Sequence, residues 1–282
     1  MTDKGKNRFW IEPIAGLGNR MQVLASAYYY AQKYGKKLII LWNNNGDVGA
    51  DFYKVFSDIP KTKVYVITTD GYRKKPFLRI YSELIRKTLK WRSDFYTDVD
   101  LWDGLTQDEI MGLIDKGMQK NCVYIKSWKQ FTPVYESDNI KVDFLKPSKM
   151  VMEKGKTIFD QIDKHTVGVH IRRTDHEEAI AGSPIKAFVR EMQSRIEADS
   201  ECSFFLATDD QCVKKEIQDY FGNRVFFNKE DNISRNNEEG ILNACIELWG
   251  LSKCKEIIGS KGSTFSMMAA KIGKIDLSIA TM

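Results

Sequence analysis

The sequence has few of the residues that build disulfide frameworks and metal clusters. Its five cysteines are odd in number and include no Cys-x-x-Cys pair, so neither a disulfide framework nor a zinc knuckle is predicted, and we expect reduced thiols. The three histidines, His165, His170 and His176, are too few and too poorly spaced for a metal cluster. We therefore expect a site that needs neither a metal ion nor another cofactor.

Long apolar runs are missing as well. Residues 1–16 contain no stretch of signal-peptide length, and no window approaches the roughly 18 apolar residues that a membrane-spanning helix needs. The composition, 43% hydrophobic and 29% charged over 282 residues, is that of a globular protein with one large or two smaller domains. These features predict a cytoplasmic protein and leave peripheral association with a membrane open.

Charge is divided unevenly along the chain. Residues 1–150 carry 25 Lys and Arg against 17 Asp and Glu, a net charge of +8, whereas residues 151–282 carry 18 against 21, a net charge of −3. This split suggests two units with different partners, the first of which faces something anionic. Nucleic acid is not expected as a partner, because the basic residues do not form a known binding module.

The first half has the pattern of an α/β protein. Residues 8–42 are typical of a strand, a glycine-rich turn, a helix and a second strand, because apolar residues recur at helical spacing between two apolar runs. Further strands are predicted at 63–68 and 121–128. A basic helix over 76–92 and an acidic, irregular stretch are expected between them.

The second half alternates more regularly. After a joining helix within 146–164, residues 166–273 change four times from a short apolar strand to a helix. Such alternation predicts a mostly parallel, doubly wound sheet. Ligands of these sheets bind beyond the carboxyl ends of the strands. Polar clusters follow the predicted strands of both halves, so we expect a site between two sheets.

Two adjacent arginines, Arg172 and Arg173, follow the apolar strand at 166–171. Arginines in a turn offer planar, bidentate donors to a diphosphate. His170 lies on the same face of the strand end as Arg172. The alternative is an ion-paired strand end in which Asp175 and neighbouring glutamates neutralise the arginines. His170 alone is more typical of a core histidine with a satisfied hydrogen bond.

Two turns are candidates for anion binding. Residues 15–21 resemble a dinucleotide fingerprint but have Met21 at its third glycine position, which argues against NAD. Gly16 and Gly18 either allow a ligand close to a helix start or simply form a tight turn. Residues 259–266 lack the spacing of an ATP-binding P-loop, and their hydroxyls either hold a phosphate or cap a helix.

Two further features have more than one interpretation. Asp209 and Asp210 are an acid pair, a base-recognition site or a helix cap, and we expect one of them to cap the next helix and the other to stay free. The basic helix from Arg73 to Arg92 presents either a solvated face or, as the less common case, a contact with an anionic membrane or acceptor.

Four motifs in this order resemble those of the GDP-fucose-dependent fucosyltransferase superfamily. They are GLGNRM (16–21), HIRRTD (170–175), LATDD (206–210) and ELWGLSKCKEIIGSKGSTFSMMAA (247–270). The pattern is most similar to that of the α-1,6-fucosyltransferases, including the rhizobial nodulation enzymes. The α-1,2-fucosyltransferases and protein O-fucosyltransferases are more distant in pattern. Similarity between Trp42 and about Lys164 is negligible.

The resemblance implies a GT-B glycosyltransferase with two Rossmann-like α/β domains that face a central cleft. Residues 1–150 would form the acceptor side and residues 151–282 the side that binds the GDP-sugar donor. The implied reaction is an inverting, metal-independent transfer of L-fucose from GDP-fucose to a hydroxyl of a glycan. Alternatives are transfer from another GDP-sugar such as GDP-mannose, or a nucleotide- or glycan-binding protein without catalysis. The chain lacks the coiled-coil and SH3-like additions of the animal α-1,6 enzymes, which suggests a compact bacterial-type enzyme.

The resemblance also implies residue roles. Arg172 and Arg173 would bind the diphosphate and offset the charge that develops as the glycosidic bond breaks. Glu247 aligns with an acid that reads guanine. The implied donor-binding set is Gly16, Gly18, Asn19, Arg20, His170, Asp209, Asp210, Glu247, Ser263, Thr264, Phe265 and Ser266.

The general base is expected shortly after Arg173. An ungapped match puts Ile180 at its position, and a gap of two residues puts Glu178 there; Asp175 would orient that base or replace it. Ala15 stands where the family's GGLGN element has its first glycine. We expect the next two glycines of the motif to carry the turn.

Overall fold

The protein folds into two compact α/β units. The computed structural model describes residues 7–68, 76–132, 141–174, 177–230 and 232–282. Unit 1 comprises Met1–Lys146 with Arg235–Glu238, and unit 2 comprises Pro147–Ser234 with Glu239–Met282. Each contains a five-stranded sheet in which every named strand pair is parallel, so the expected α/β class with two parallel sheets is confirmed.

Unit 1 has the strand order β3-β2-β1-β5-β4, with β1 at the centre. Its described elements are, in chain order, β1 (Arg8–Pro13), α1 (Leu17–Lys33), β2 (Lys37–Asn44), α2 (Phe52–Val55), β3 (Lys63–Thr68), α3 (Pro76–Arg92), β4 (Phe95–Asp98), a 3-10 turn (Val99–Trp102), α4 (Gln107–Met118) and β5 (Cys122–Ser127).

Unit 2 has the strand order β10-β9-β6-β7-β8, with β6 at the centre. Its described elements are α5 (Lys149–Phe159), β6 (Thr166–Ile171), α6 (Glu177–Gly182), α7 (Ile185–Ala198), β7 (Ser203–Thr208), α8 (Gln211–Phe221), a 3-10 turn (Gly222–Arg224), β8 (Val225–Phe227), α9 (Glu238–Leu251), β9 (Ile257–Gly259), α10 (Thr264–Gly273) and β10 (Leu277–Ile279).

The central strands are buried on both faces, as parallel strands between helix layers must be. All six residues of β6 are buried. A side chain at Gly168 would place its Cβ 2.9 Å from Cδ2 of Leu251, so α9 packs directly against the strand at this point. The long apolar runs that identified these strands in the sequence therefore reflect burial in the sheet core.

The prediction of an irregular stretch after the basic helix is wrong. This stretch contains β4 and α4, whose start has a capping box: the backbone N–H of Glu109 donates to Thr106 Oγ1 (3.3 Å), and the Thr106 N–H donates to Glu109 Oε2 (2.8 Å). β4 is a four-residue strand at the sheet edge, so its sequence has no long apolar run. The helix α6 and the short strand β10 were also not predicted.

The basic helix predicted over 76–92 is confirmed as α3. Residues Arg73 to Lys75, which the longer predicted span included, lie outside the described residues. Among the described helices, none has the length and apolarity that crossing a lipid bilayer requires.

Candidate functional site

The turn after β6 holds Arg172 and Arg173 through backbone hydrogen bonds. The Arg172 N–H donates to Ser260 Oγ (3.0 Å), and this hydroxyl donates to the carbonyl oxygen of His170 (3.3 Å). Ser260 directly follows β9, which pairs with β6. The ends of two neighbouring strands are thus tied together, which fixes where the arginine pair begins.

Asp209 organises the same turn from the end of β7. Its Oδ1 accepts the Arg173 N–H (2.7 Å), and its Oδ2 accepts the hydroxyl of Thr174 (2.7 Å). The neighbouring Asp210 caps α8 by accepting the N–H of Cys212 (2.8 Å). One aspartate is therefore the expected cap, but the expectation that the other is free is wrong, because its carboxylate binds the backbone of the arginine turn.

The Arg173 side chain is half-buried and held by neutral acceptors. Its guanidinium donates to the carbonyl oxygens of Ser183 (2.8 Å) and Arg172 (3.3 Å). Burial lowers the pKa of Arg173, and the nearby carboxylates of Asp209, Asp210 and Glu216 act in the opposite direction. Carbonyl oxygens orient a guanidinium without neutralising its charge, so these contacts leave a pre-oriented cation at the carboxyl end of the central strand.

His170 is a buried, neutral side chain under this turn. Burial lowers its pKa to about 4, so the imidazole is uncharged at neutral pH. Its ring stacks on Phe265 with centroids 4.9 Å apart, and its Nδ1 lies 3.4 Å from Ser263 Oγ. His170 therefore adds no positive charge of its own, and it connects β6 to the start of α10.

The hydroxyls at the start of α10 do not all face the same way. Ser263 is buried and bonds His170 rather than capping the helix with its side chain. Ser266 is fully buried, and its hydroxyl donates to the carbonyl oxygen of Ser263 (3.3 Å). Thr264 and Phe265 are half-buried. An anion at this helix start would therefore meet Thr264 and the first-turn N–H groups, which have no acceptor within the helix.

Glu247 lies in α9 in a mixed electrostatic environment. Burial raises its pKa to about 8; Asp209 also raises it, whereas the ammonium of Lys214 lowers it. Lys214 is itself buried, and its Nζ donates to the carbonyl oxygen of Asn228 (3.1 Å). Lys214 was not predicted as a site residue. A signal was present, because Lys214 lies three residues before Ile217 and seven before Phe221, and a lysine on the apolar side of a helix such as α8 is unusual.

The glycine-rich turn of unit 1 departs from expectation. Ala15 has a φ of 65°, whereas Gly16, the N-cap of α1, has a φ of −68° and Gly18 lies within the helix. The expectation that the two glycines carry the turn is wrong, since the left-handed residue is the alanine. A Cβ at Gly16 would meet no atom within 4 Å, so space is open beside this residue. Asn19 is half-buried in the first turn.

Arg20 is sealed inside unit 1. Its guanidinium donates to the carbonyl oxygens of Ala15 (2.8 Å) and Asn43 and to Asn45 Oδ1 (2.7 Å), and it lies 4.7 Å from the ring centroid of Trp42. The side chain has no solvent exposure, and burial lowers its pKa to about 10. In this position Arg20 connects the loop after β1 to the end of β2 and the loop beyond it, instead of pointing outward.

Two candidate catalytic acids are not fully described. Asp175 lies outside the described residues, and so does the side chain of Glu178, although its backbone forms part of α6. The choice of general base therefore stays a prediction. Among the residues that the structure does describe, no group of three or more His, Cys, Asp or Glu is arranged to hold a metal ion.

The predicted donor-side residues of unit 2 thus come together around the end of β6, from His170 to the start of α10. The predicted residues of unit 1 lie at the start and in the first turn of α1. No protein-family model matches the sequence, and no curated protein matches it.

Solved structures of similar fold include fucosyltransferases. The α-1,6-fucosyltransferase NodZ co-crystallised with GDP is 21% identical with a TM-score of 0.62, over 94% of this chain and 92% of that chain. NodZ from Bradyrhizobium in selenomethionine form is 20% identical, with a TM-score of 0.61 over 94% and 91%. The fucosyltransferase POFUT1 in complex with GDP is 13% identical, with a TM-score of 0.61 over the full length of both chains. The resemblance inferred from the four motifs is therefore confirmed for the fold.

Proposed function

We propose that the protein is a glycosyltransferase that transfers L-fucose from GDP-fucose to a hydroxyl of a glycan acceptor, with inversion at the anomeric carbon and without a metal ion. The observation that carries the proposal is the half-buried Arg173, held on neutral carbonyls at the carboxyl end of β6. Structures with the same fold contain GDP, in NodZ, or GDP-fucose, in POFUT1. Residues 151–282 would bind the donor and residues 1–150 the acceptor.

The leaving group explains why two arginines suit this position. As the bond from the anomeric carbon to the diphosphate oxygen breaks, the electron pair moves to that oxygen and GDP gains negative charge. Arg172 and Arg173 would offset this charge, and a pre-oriented donor is worth about 10²–10³ in rate. A guanidinium already fixed by Ser183 and Arg172 does not need to reorganise during the reaction.

The second half of the reaction is the attack of the acceptor. A carboxylate takes the proton of the acceptor hydroxyl as its oxygen bonds to the anomeric carbon from the face opposite GDP, which gives inversion. We assign this proton to Asp175 or Glu178, two of the three acids within five residues after the arginine pair. His170 is neutral at working pH, so we give it the role of lining the donor pocket with Phe265.

The nucleotide base would be read by the carboxylate of Glu247. Guanine presents adjacent N–H donors, and one carboxylate can accept from both. Glu247 lies close enough to Asp209, which binds the arginine turn, for the two carboxylates to interact electrostatically. The start of α10 would face the phosphates through Thr264 and backbone N–H groups.

A donor screen by thermal shift tests the proposal. We expect GDP to raise the melting temperature more than UDP or ADP at equal concentration, and GDP-fucose to raise it more than GDP-mannose. A ligand at about 100 times its Kd stabilises the folded state by about 2.7 kcal/mol, enough to be measured. Greater protection by GDP-mannose would indicate that GDP-mannose, and not GDP-fucose, is the donor.

Donor hydrolysis then separates an enzyme from a binding protein. We expect slow release of fucose from GDP-fucose without acceptor and faster release with a suitable glycan. Protection by GDP together with complete inertness toward every GDP-sugar, with and without glycans, would make a binding protein the better description. Equal protection by UDP and ADP would contradict the assignment of a guanine site.

A further inference from the structure

Helix α3 presents a broad apolar surface to solvent, in addition to the side that packs on the sheet. Five large apolar or aromatic side chains are between 60% and 84% exposed. They are Phe77, Ile80, Tyr81, Leu84 and Trp91. At 3.6 residues per turn these five occupy about 100° of the helix circumference, and at 1.5 Å per residue they extend over about 21 Å. We call this surface the α3 stripe.

The rotation of α3 is fixed by its opposite, sheet-facing side. Arg86 donates from Nε to Oε1 of Glu12 (2.9 Å), and its Nη2 lies 2.8 Å from the same oxygen. Glu12 is fully buried in β1. Tyr124 of β5 donates to the other oxygen of Glu12 (2.6 Å). Ser82 on the same side of α3 is buried. Rotating the helix to bury the α3 stripe would break this buried ion pair, at a cost of several kcal/mol.

The charges around the α3 stripe are mostly positive. The helix carries five basic residues against a single acid, Glu83, which lies within ion-pair distance of Arg86 (3.4 Å). Lys87 and Arg92 are exposed, and helical geometry places them immediately on either side of the stripe. An apolar surface with cations along both edges is complementary to a partner that has an anionic outer layer over an apolar interior.

We propose that the α3 stripe binds the surface of a lipid bilayer that contains anionic phospholipids. The apolar side chains enter the boundary between headgroups and acyl chains, and Lys87 and Arg92 contact the lipid phosphates. Tyr81 and Trp91 have the amphipathic rings that favour this boundary. A second copy of the chain fits less well, since a stripe packed on its own copy would bring the same cations together.

Sedimentation with vesicles tests the inference on the full-length protein. We expect binding to vesicles of phosphatidylcholine and phosphatidylglycerol in equal parts, and little binding to phosphatidylcholine alone. The double variant Leu84→Gln/Trp91→Gln should lose at least about tenfold in apparent affinity, since it removes two inserted side chains. The matched control Leu101→Gln/Tyr220→Gln changes two side chains that are 62% and 59% exposed elsewhere and should bind as the wild type does.

A charge variant tests the contribution of the cations that flank the α3 stripe. Lys87→Gln/Arg92→Gln should weaken binding to anionic vesicles by about tenfold or more, since each cation near the surface contributes about 1 kcal/mol. The control Lys120→Gln/Lys229→Gln removes two exposed cations outside α3 and should have little effect.

Three results would overturn the inference. One is the absence of binding to anionic vesicles at low salt. Another is binding that is unchanged in the apolar variant, which would place the contact on another surface. The third is a wild-type dimer in light scattering that the apolar variant converts to monomer, which would make a second copy the occupant. The vesicle assay does not depend on nucleotide, so its outcome is separate from that of the donor screen.

Discussion

Each unit has an arginine near the carboxyl end of its central strand, but the two side chains lie in opposite surroundings. Arg20 of unit 1 has no solvent exposure and donates to three oxygens: one in the loop after β1, one near the end of β2 and one just beyond β2. Arg173 of unit 2 is half-buried and donates to two carbonyls beside its own turn. Arginine therefore has a structural role in unit 1, where it connects segments at the ends of two strands. In unit 2 it places a positive charge at the carboxyl end of the central strand.

The comparison shows why a motif alone does not assign a role to an arginine. Both residues follow the central strand of their sheet within seven positions, and both were predicted to contact the donor. The two arginines differ in the acceptors around them. The guanidinium of Arg20 binds Asn43, at the end of β2, and Asn45, just beyond it. The carboxylate of Asp209 binds the backbone N–H of Arg173, so the guanidinium of Arg173 binds neutral carbonyls instead.

Removing the buried arginine should give the largest effect. Arg20→Met keeps most of the side-chain volume but deprives three buried or half-buried oxygens of their donor. We expect a loss of about 3 kcal/mol in the free energy of unfolding, since one unsatisfied buried polar group costs about 1–3 kcal/mol. Urea denaturation measures it. The matched variant Arg92→Met, which removes an exposed arginine of the same unit, should change stability by about 0.5 kcal/mol or less. A similar small change for both variants would show that the contacts of Arg20 contribute little.

Replacing the half-exposed arginine should affect turnover rather than folding. In Arg173→Lys an ammonium cannot reproduce two parallel N–H donors, so under the proposed function we expect kcat to fall by about 100-fold or more while the melting temperature stays near that of the wild type. Arg190→Lys alters an exposed arginine of the same unit and should keep wild-type turnover. Turnover in Arg173→Lys equal to wild type would remove this residue from the reaction.

Much of the fold could be predicted from the sequence because burial leaves a periodic signal. β2, β6 and β7 are nearly continuous apolar runs, and α10 has the bounds expected from its spacing. β4 could not be recognised in this way, because a short edge strand needs few apolar residues. Its neighbour α4 did have a signal, the capping box from Thr106 to Glu109, which the acidic composition obscured.

The site was less predictable, since its contacts join residues far apart in sequence. Asp209 binds the N–H of a residue 36 positions earlier, and Ser260 binds one 88 positions earlier. No local pattern encodes such partners. The sequence could place polar residues at strand ends, but it could not show that Ser263 would bond His170 or that Ser266 would be buried.

The raised pKa of Glu247 provides a test of the guanine site proposed for unit 2. In the free protein a pKa of about 8 leaves this carboxyl mostly protonated at neutral pH. If the carboxylate accepts guanine N–H groups, GDP binding must release that proton, so affinity should rise with pH and level off above about 8, by up to about tenfold per pH unit. Calorimetry in buffers of different ionisation enthalpy measures the released proton.

The matched variant for this measurement is Glu247→Gln. It should bind GDP more weakly and show only the pH dependence that comes from the terminal phosphate, whose second pKa is near 6. If wild type and variant have the same pH profile, Glu247 does not read the base.

The smallest predicted effects concern two turns that have a different residue at the same left-handed position. Ala15 and Gly262 each precede the N-cap of a helix that follows a strand, and their φ angles are 65° and 69°. The left-handed conformation costs an L-residue about 1–2 kcal/mol, part of which the greater unfolded-state entropy of glycine offsets. We therefore expect Ala15→Gly to stabilise the protein by about 0.5–1 kcal/mol and Gly262→Ala to destabilise it by a similar amount in urea denaturation. If the two variants change the free energy of unfolding by similar amounts in opposite directions, both turns require a left-handed residue, and only unit 2 has glycine there. Destabilisation by Ala15→Gly would instead mean that the alanine methyl group makes contacts worth more than the strain of its backbone.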